Sequence, residues 1–135
     1  MPFSVLLVDD NPTFLRSAAR FVETDPALQV IATAQTAEEA HVITRRLRPC
    51  VVLVDVNLRG ASGLEATRAL KSLLEPPVVI VMTADDQPEY RTAAESAGAD
   101  AFLEKSRFGT DLVPLIRRLL AGRSEKSLSA RKTDP

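Results

Sequence analysis

The chain has 135 residues, 45% of them hydrophobic and 26% charged, a composition that indicates one globular domain. Its 17 basic and 18 acidic residues nearly cancel, which excludes a global charge suited to binding nucleic acid or an anionic membrane. No apolar run approaches the ~20 residues of a membrane span. The first residues lack the basic-then-apolar order of a signal peptide, so a cytoplasmic location is expected.

Short apolar runs alternate along the chain with longer stretches of helical periodicity. The runs hold no more than five residues each and are mostly β-branched, which is typical of strands buried on both faces. They cover residues 5–8, 30–32, 51–54, 78–82 and 101–103. We therefore predict five strands, of which the second is the weakest.

The stretches between these strands predict five helices. The first begins near Pro12, with Asp10 or Asn11 as its cap. The second opens at Thr36, whose spacing to Glu39 is that of a capping box. The remaining helices are predicted over residues 63–74, 89–97 and 111–120, the last one stopped by the glycine at 122.

Strand and helix thus alternate five times. Parallel strands joined through helices require right-handed crossovers, which place helices on both faces of the sheet. The predicted fold class is therefore α/β, a doubly wound parallel five-stranded sheet. One domain is expected over residues 1–122, followed by a polar tail or linker over residues 123–135.

Polar residues follow the predicted strands at the sheet edge where open α/β folds bind ligands. Asp9 and Asp10 follow the first strand, Asp55 the third, Thr83 the fourth, and Lys105 the fifth after one intervening residue. Unpaired, three converging carboxylates would repel one another, and a hard divalent cation can balance them because it prefers oxygen ligands. The alternative for each acid is that it merely ends a strand or caps a helix. All five residues at one edge favour a site.

The chain resembles the receiver domain of bacterial two-component response regulators over residues 4–122. The resemblance is carried by residues 5–12, 51–57, 60–65, 79–84 and 97–105, in order and at the spacing of that family. It implies a flavodoxin-like sheet with strand order 2-1-3-4-5. Residues 98–106 and 119–122 are most similar to receivers joined to a LuxR-type helix-turn-helix. A stand-alone regulator or a receiver fragment is expected.

The resemblance implies a phosphoacceptor with a bound metal. Asp55 resembles the phosphoacceptor of a phosphorelay, which would form an aspartyl phosphate. Asp9, Asp10, Asp55 and the backbone carbonyl of Asn57 would hold Mg²⁺ or Mn²⁺. No catalysis is expected beyond self-phosphorylation and self-dephosphorylation. A histidine kinase or a phosphotransfer protein is the expected donor, and neither direct nucleic-acid binding nor membrane binding is expected.

The resemblance also implies a switch. Lys105 resembles the residue that pairs with the phosphoryl group, Thr83 the switch hydroxyl, and Phe102 the aromatic that turns inward behind it. A plain core residue is the alternative for Phe102. The switch would alter the surface made by the fourth helix, fifth strand and fifth helix (α4-β5-α5), through which a partner or a second copy of the chain would bind.

Three positions depart from the family pattern. Ser106 replaces a proline that often follows the lysine in a cis bond, so a trans bond or local strain is expected after Lys105. Arg59 replaces a common proline, which predicts a more mobile loop. Asn57 and Asp85 occupy positions that tend to set the phosphoryl lifetime in this family.

Three other classes of protein are alternatives to a phosphorylated receiver domain. A receiver-like pseudo-domain that is never phosphorylated is the main alternative. A phosphatase of the haloacid dehalogenase type needs a second acid two residues after the nucleophile, where Asn57 stands. A nucleotide or flavin module needs a glycine-rich phosphate loop, whereas Asp9 and Asp10 follow the first strand here. His41 is interpreted as an ordinary helix residue.

Overall fold

The computed structural model describes residues 2–58, 61–84 and 87–133. Within these residues, five strands form one parallel sheet with the order β2-β1-β3-β4-β5, which confirms the predicted order 2-1-3-4-5. The strands are β1 (Phe3–Val8), β2 (Leu28–Ala34), β3 (Val51–Asp55), β4 (Val78–Thr83) and β5 (Ala101–Glu104). The three central strands, β1, β3 and β4, are buried along most or all of their length, as continuous apolar runs predict.

The first four helices connect consecutive strands, and the fifth follows the last strand. They are α1 (Pro12–Val22), α2 (Ala37–Leu47), α3 (Gly63–Lys71), α4 (Pro88–Ser96) and α5 (Phe108–Thr133), with a 3-10 turn at Lys105–Arg107. Asn11, rather than Asp10, caps α1, because its side chain accepts hydrogen bonds from two backbone N–H groups of the first turn. Thr36 caps α2 by accepting from the N–H of Glu39.

The carboxyl ends of two helices differ clearly from the prediction, and α5 also begins at Phe108 rather than at the predicted Asp111. The predicted stop of α5 at Gly122 is wrong, since the helix runs to Thr133. Glycine ends a helix when it adopts positive φ, and among the described glycines Gly98 alone does so, with φ of 94° after α4. The third helix ends at Lys71 rather than at Leu74, because the chain must leave the helix before the Pro76–Pro77 pair that leads into β4.

A short hairpin directly after β3 was not predicted. Its two-residue strands, Asn57–Leu58 and Ala61–Ser62, pair antiparallel, and they are too short to show a periodicity in the sequence. The hairpin returns the chain to the end of β3, where the N–H of Gly63 donates to the carbonyl of Val56 at 2.9 Å. It therefore sets the amino terminus of α3 against the backbone of Asp55.

Helices cover both faces of the sheet and enclose two apolar clusters. On one face, α1 and α5 pack against alternate residues of the strands, with Leu15, Leu112 and Ile116 buried. On the other face, α2, α3 and α4 contribute small residues and Leu70. Among the described residues, none of the helices has the length and apolar character needed to cross a membrane.

Candidate functional site

The carboxyl edge of the sheet gathers the acidic residues that the sequence places there. Asp9 and Asp10 follow β1, and Asp55 is the last residue of the neighbouring β3. One carboxylate oxygen from each of the three lies within 4.8 Å of the others. Asp9 and Asp55 are buried, whereas Asp10 is half-buried. The predicted convergence of the three acids is therefore what the fold produces.

Lys105 reaches this acidic cluster from the other side of the edge. Its Nζ lies 2.6 Å from Asp9 Oδ2 and 3.4 Å from Asp55 Oδ1. The residue begins the 3-10 turn directly after β5, so its position follows from the end of that strand. The peptide bond to Ser106 is trans, since the described chain contains no cis bond.

Burial makes the cluster electrostatically unfavourable for its ionised acids. Burial raises the pKa of Asp55 from 3.8 to about 6. The nearby Lys105 ammonium acts in the opposite direction and lowers this pKa, but its effect is smaller. The neighbouring carboxylates of Asp9 and Asp10 raise it further. The ionised form of Asp55 is therefore less stable in the folded chain than in water, and additional positive charge beside it would stabilise that form.

One of the two carboxylate oxygens of Asp9 also lacks a hydrogen bond. Its Oδ1 accepts a hydrogen bond from the N–H of Asn11 at 2.9 Å. Its buried Oδ2 contacts the Lys105 ammonium but makes no hydrogen bond of regular geometry. Three carboxylates face one ammonium, and their oxygens are the ligands that Mg²⁺ and Mn²⁺ prefer. These residues fit a hard divalent cation.

The predicted switch residues lie beside the cluster. Thr83 is buried at the end of β4, adjacent to β3, and it has a bonding partner of its own. Phe102 is half-buried on β5 and packs against the face covered by α2, α3 and α4. The guanidinium of Arg91 lies 4.8 Å from the centre of the Phe102 ring.

The remaining predicted residues take other positions. Asn57 is exposed in the hairpin, two residues after Asp55. His41 lies in α2, as the sequence indicates. The predictions made for Arg59 and Asp85 lie outside the described residues.

Two residues near the site were not recognised from the sequence. Gly63 packs so closely behind the phosphoacceptor candidate that a Cβ added there would lie 1.9 Å from the backbone oxygen of Asp55. Phe14 places its ring centre 4.3 Å from Lys105 Nζ. A glycine following a serine cap at a helix start was an available signal for Gly63. Phe14 fits the apolar stripe of α1, so nothing in the sequence distinguished it from a core residue.

The fold and the site together define a doubly wound α/β protein with three clustered carboxylates at the carboxyl edge of its sheet. Residues 5–117 match the family model described as the response regulator receiver domain. The chain belongs to this family of two-component signalling domains, as its sequence motifs predict.

The relatives that it matches include two kinds of longer protein. It is 38% identical over 105 residues to protein-glutamate methylesterase/protein-glutamine glutaminase 4 of Myxococcus xanthus. This alignment covers 77% of the chain and 30% of the relative. It is 34% identical over 116 residues to the nitrate/nitrite response regulator NarP of Escherichia coli, which covers 86% of this chain and 54% of that protein. The chain thus spans about half or less of the length of these relatives.

A solved structure supports the same assignment. The two-component response regulator of the LuxR family from Aurantimonas sp. SI85-9A1 is 31% identical, with a TM-score of 0.85, and the match covers 90% of this chain and 87% of that one. The predicted likeness to LuxR-type receivers is therefore confirmed.

Proposed function

We propose that this chain accepts a phosphoryl group on Asp55 and acts as a switch in a two-component phosphorelay. The observation that carries the proposal is the meeting of buried Asp55 with Asp9, Asp10 and Lys105 at one sheet edge. A histidine kinase or a phosphotransfer protein would donate the group, in the cytoplasm. Family membership supports this function, because the matched family is that of response regulator receivers.

The chemistry needs little beyond positioning and charge. An ionised Asp55 oxygen would attack phosphorus in line, while the bond from phosphorus to the donor breaks and its electron pair leaves with the donor. The Lys105 ammonium would pair with an oxygen of the transferred group, because it already lies 3.4 Å from Asp55. Asp9, Asp10, Asp55 and the carbonyl of Asn57 would hold Mg²⁺, which when bound supplies positive charge for the phosphoryl oxygens.

The response would then be a change of surface rather than turnover of a substrate. The phosphoryl group adds nearly two negative charges and three acceptor oxygens next to Thr83. Thr83 would turn toward it, and Phe102 would move into the space behind. The surface formed by α4, β5 and α5 would change, and a protein partner, an output domain or a second copy of the chain would bind there.

The test uses acetyl phosphate, or beryllofluoride, with Mg²⁺. We expect an adduct on the wild type by intact mass and none on Asp55→Asn. The fluorescence of Tyr90, which lies in α4, reports the response of that helix. Tyr90 is the sole tyrosine of a chain without tryptophan. It is half-buried and packs against the same apolar cluster as Phe102. The matched control is Asp100→Asn, which removes an acid at the opposite end of the sheet and should retain the adduct.

Two results would contradict the proposal. An equal adduct on Asp55→Asn would remove this residue as the acceptor. A wild type that forms no adduct, while it still binds a partner, would instead favour a phosphorylation-independent interaction module.

A further inference from the structure

Phe14 lies in the first turn of α1, directly against Lys105. The ring centre is 4.3 Å from Lys105 Nζ, and the same ammonium lies 2.6 Å from Asp9 Oδ2 and 3.4 Å from Asp55 Oδ1. We propose that Phe14 is a positioning residue for phosphoryl transfer, because its ring holds the Lys105 ammonium between the two carboxylates. This inference rests on the function proposed for Asp55.

Lys105 needs such support because of where it stands. It follows β5 in a 3-10 turn rather than within the sheet, and its side chain is 21% exposed. Lysine carries its charge on a flexible four-carbon stem with many rotamers. The negative face of an aromatic ring attracts an ammonium, and this attraction strengthens when water is partly excluded. A ring on one side and two carboxylates on the other confine the charge.

The Phe14 ring is itself fixed from behind. Its centre lies 5.6 Å from that of Phe108, with the two planes at 78°, an edge-to-face contact. Phe108 is buried at the start of α5 and also touches Phe21, at 5.5 Å between ring centres. The Phe14 ring thus packs against Phe108 on one side and against Lys105 on the other, which fixes the position of the ring beside the ammonium.

Phe21 supplies a matched control from the same helix. Phe14 and Phe21 are both half-buried phenylalanines of α1, and both contact Phe108. In the described part of the chain, the cation–ring contact made by Lys105 is with Phe14. Replacing either residue by leucine removes a comparable ring from the core, whereas replacing Phe14 alone also removes the support of the ammonium.

The step to be measured is transfer from acetyl phosphate, with Mg²⁺ present. An oxygen of ionised Asp55 forms a bond to phosphorus, the bond from phosphorus to the acetate oxygen breaks, and acetate leaves with that electron pair. The Lys105 ammonium stabilises charge on the phosphoryl oxygens only while it stays in place. Loss of the Phe14 ring beside it should therefore slow transfer without removing the acceptor.

We expect Phe14→Leu to be phosphorylated about fivefold more slowly than the wild type, a loss that corresponds to one partly exposed cation–π contact. Phe14→Tyr keeps the aromatic face and should react at close to the wild-type rate. Phe21→Leu should also react normally. Thermal unfolding of each variant shows whether the two leucine variants are destabilised alike.

A double-mutant cycle separates positioning from a general structural effect. In the Lys105→Ala background, Phe14→Leu should cause no further loss of rate, because no ammonium remains to be held. A fivefold loss in that background as well would overturn the inference, and so would a wild-type rate for Phe14→Leu. Asp55→Asn, run in parallel, reports separately on the proposed function: if it is modified like the wild type, the acceptor is wrong and the inference falls with it.

Discussion

The two ends of the sheet treat their acidic residues in opposite ways. At the amino end, Asp100 Oδ2 accepts from Lys71 Nζ and from the N–H of Val79, each at 2.8 Å. Lys71 also donates to the carbonyl of Pro77 at 2.9 Å. At the carboxyl end, three carboxylates lie together, and the ammonium of Lys105 contacts two of them, Asp9 and Asp55. The first arrangement stabilises the fold, whereas the second leaves charge for a ligand to balance.

The difference follows from which strands supply the acids. The amino-end acid precedes the edge strand β5 and meets a lysine at the end of α3, so that one charge meets one charge. The carboxyl-end acids follow the adjacent strands β1 and β3, which the sheet holds side by side. Strand pairing therefore forces like charges together, and buried apolar strands provide the stability that tolerates them.

The largest expected effect tests how tightly the carboxyl end is built. Gly63→Ala should destabilise the fold by more than about 3 kcal/mol, because a Cβ 1.9 Å from the Asp55 carbonyl oxygen forces α3 away from β3. Chemical denaturation measures this loss. Gly122→Ala is the control, since its Cβ meets nothing within 4 Å. It should instead stabilise α5 by up to about 1 kcal/mol. Equal effects at the two glycines would refute the tight packing.

The next effect tests the electrostatic cost of the acidic cluster. The pKa of Asp55 rises from 3.8 to about 6 on folding, so the unfolded chain ionises this group more readily. Stability should therefore fall as the pH rises from about 4 to about 7, by up to about 3 kcal/mol from this group. Asp55→Asn lacks this loss and should be more stable than the wild type above pH 6.

The measurement is the difference between the unfolding free energies of wild type and Asp55→Asn across this pH range, in buffer with EDTA. Titrating groups that do not interact with Asp55 cancel in that difference, which therefore reports on Asp55 and the charges coupled to it. Added Mg²⁺ should reduce it, because a divalent cation stabilises the ionised form. A difference that stays constant from pH 4 to pH 7 would contradict the electrostatic account.

The smallest effect has the opposite sign and comes from the other end of the sheet. Asp100→Asn should destabilise the chain by about 1 to 2 kcal/mol at neutral pH, because it removes the charge from two hydrogen bonds at once. Thermal or chemical unfolding at about pH 7.5 measures this loss of stability. Carboxyl groups with ordinary pKa values are ionised at that pH. If Asp100→Asn and Asp55→Asn both stabilise the chain, the contrast between the two ends is wrong.

Much of the fold could be predicted because its signals are local. Continuous apolar runs gave the central strands, and side-chain caps such as Thr36 gave helix starts to within a residue or two. The hairpin after β3 was missed because each of its strands has two residues, fewer than any periodicity needs. The end of α5 was misplaced because the residue type alone does not show whether a glycine adopts positive φ and ends a helix. Gly122 does not adopt positive φ, and α5 continues through it.

The sequence by itself determined that acids follow the first and third strands and that a lysine follows the fifth, because strand ends and parallel pairing are encoded by local patterns. Only the tertiary structure decided that Lys105 lies against Phe14 and that Gly63 backs Asp55. Phe14 and Lys105 are far apart in the chain, whereas Gly63 and Asp55 are separated only by the short hairpin. Both distances depend on how helices pack on the sheet. That packing is a property of all the side chains together, so no single stretch of sequence specifies it.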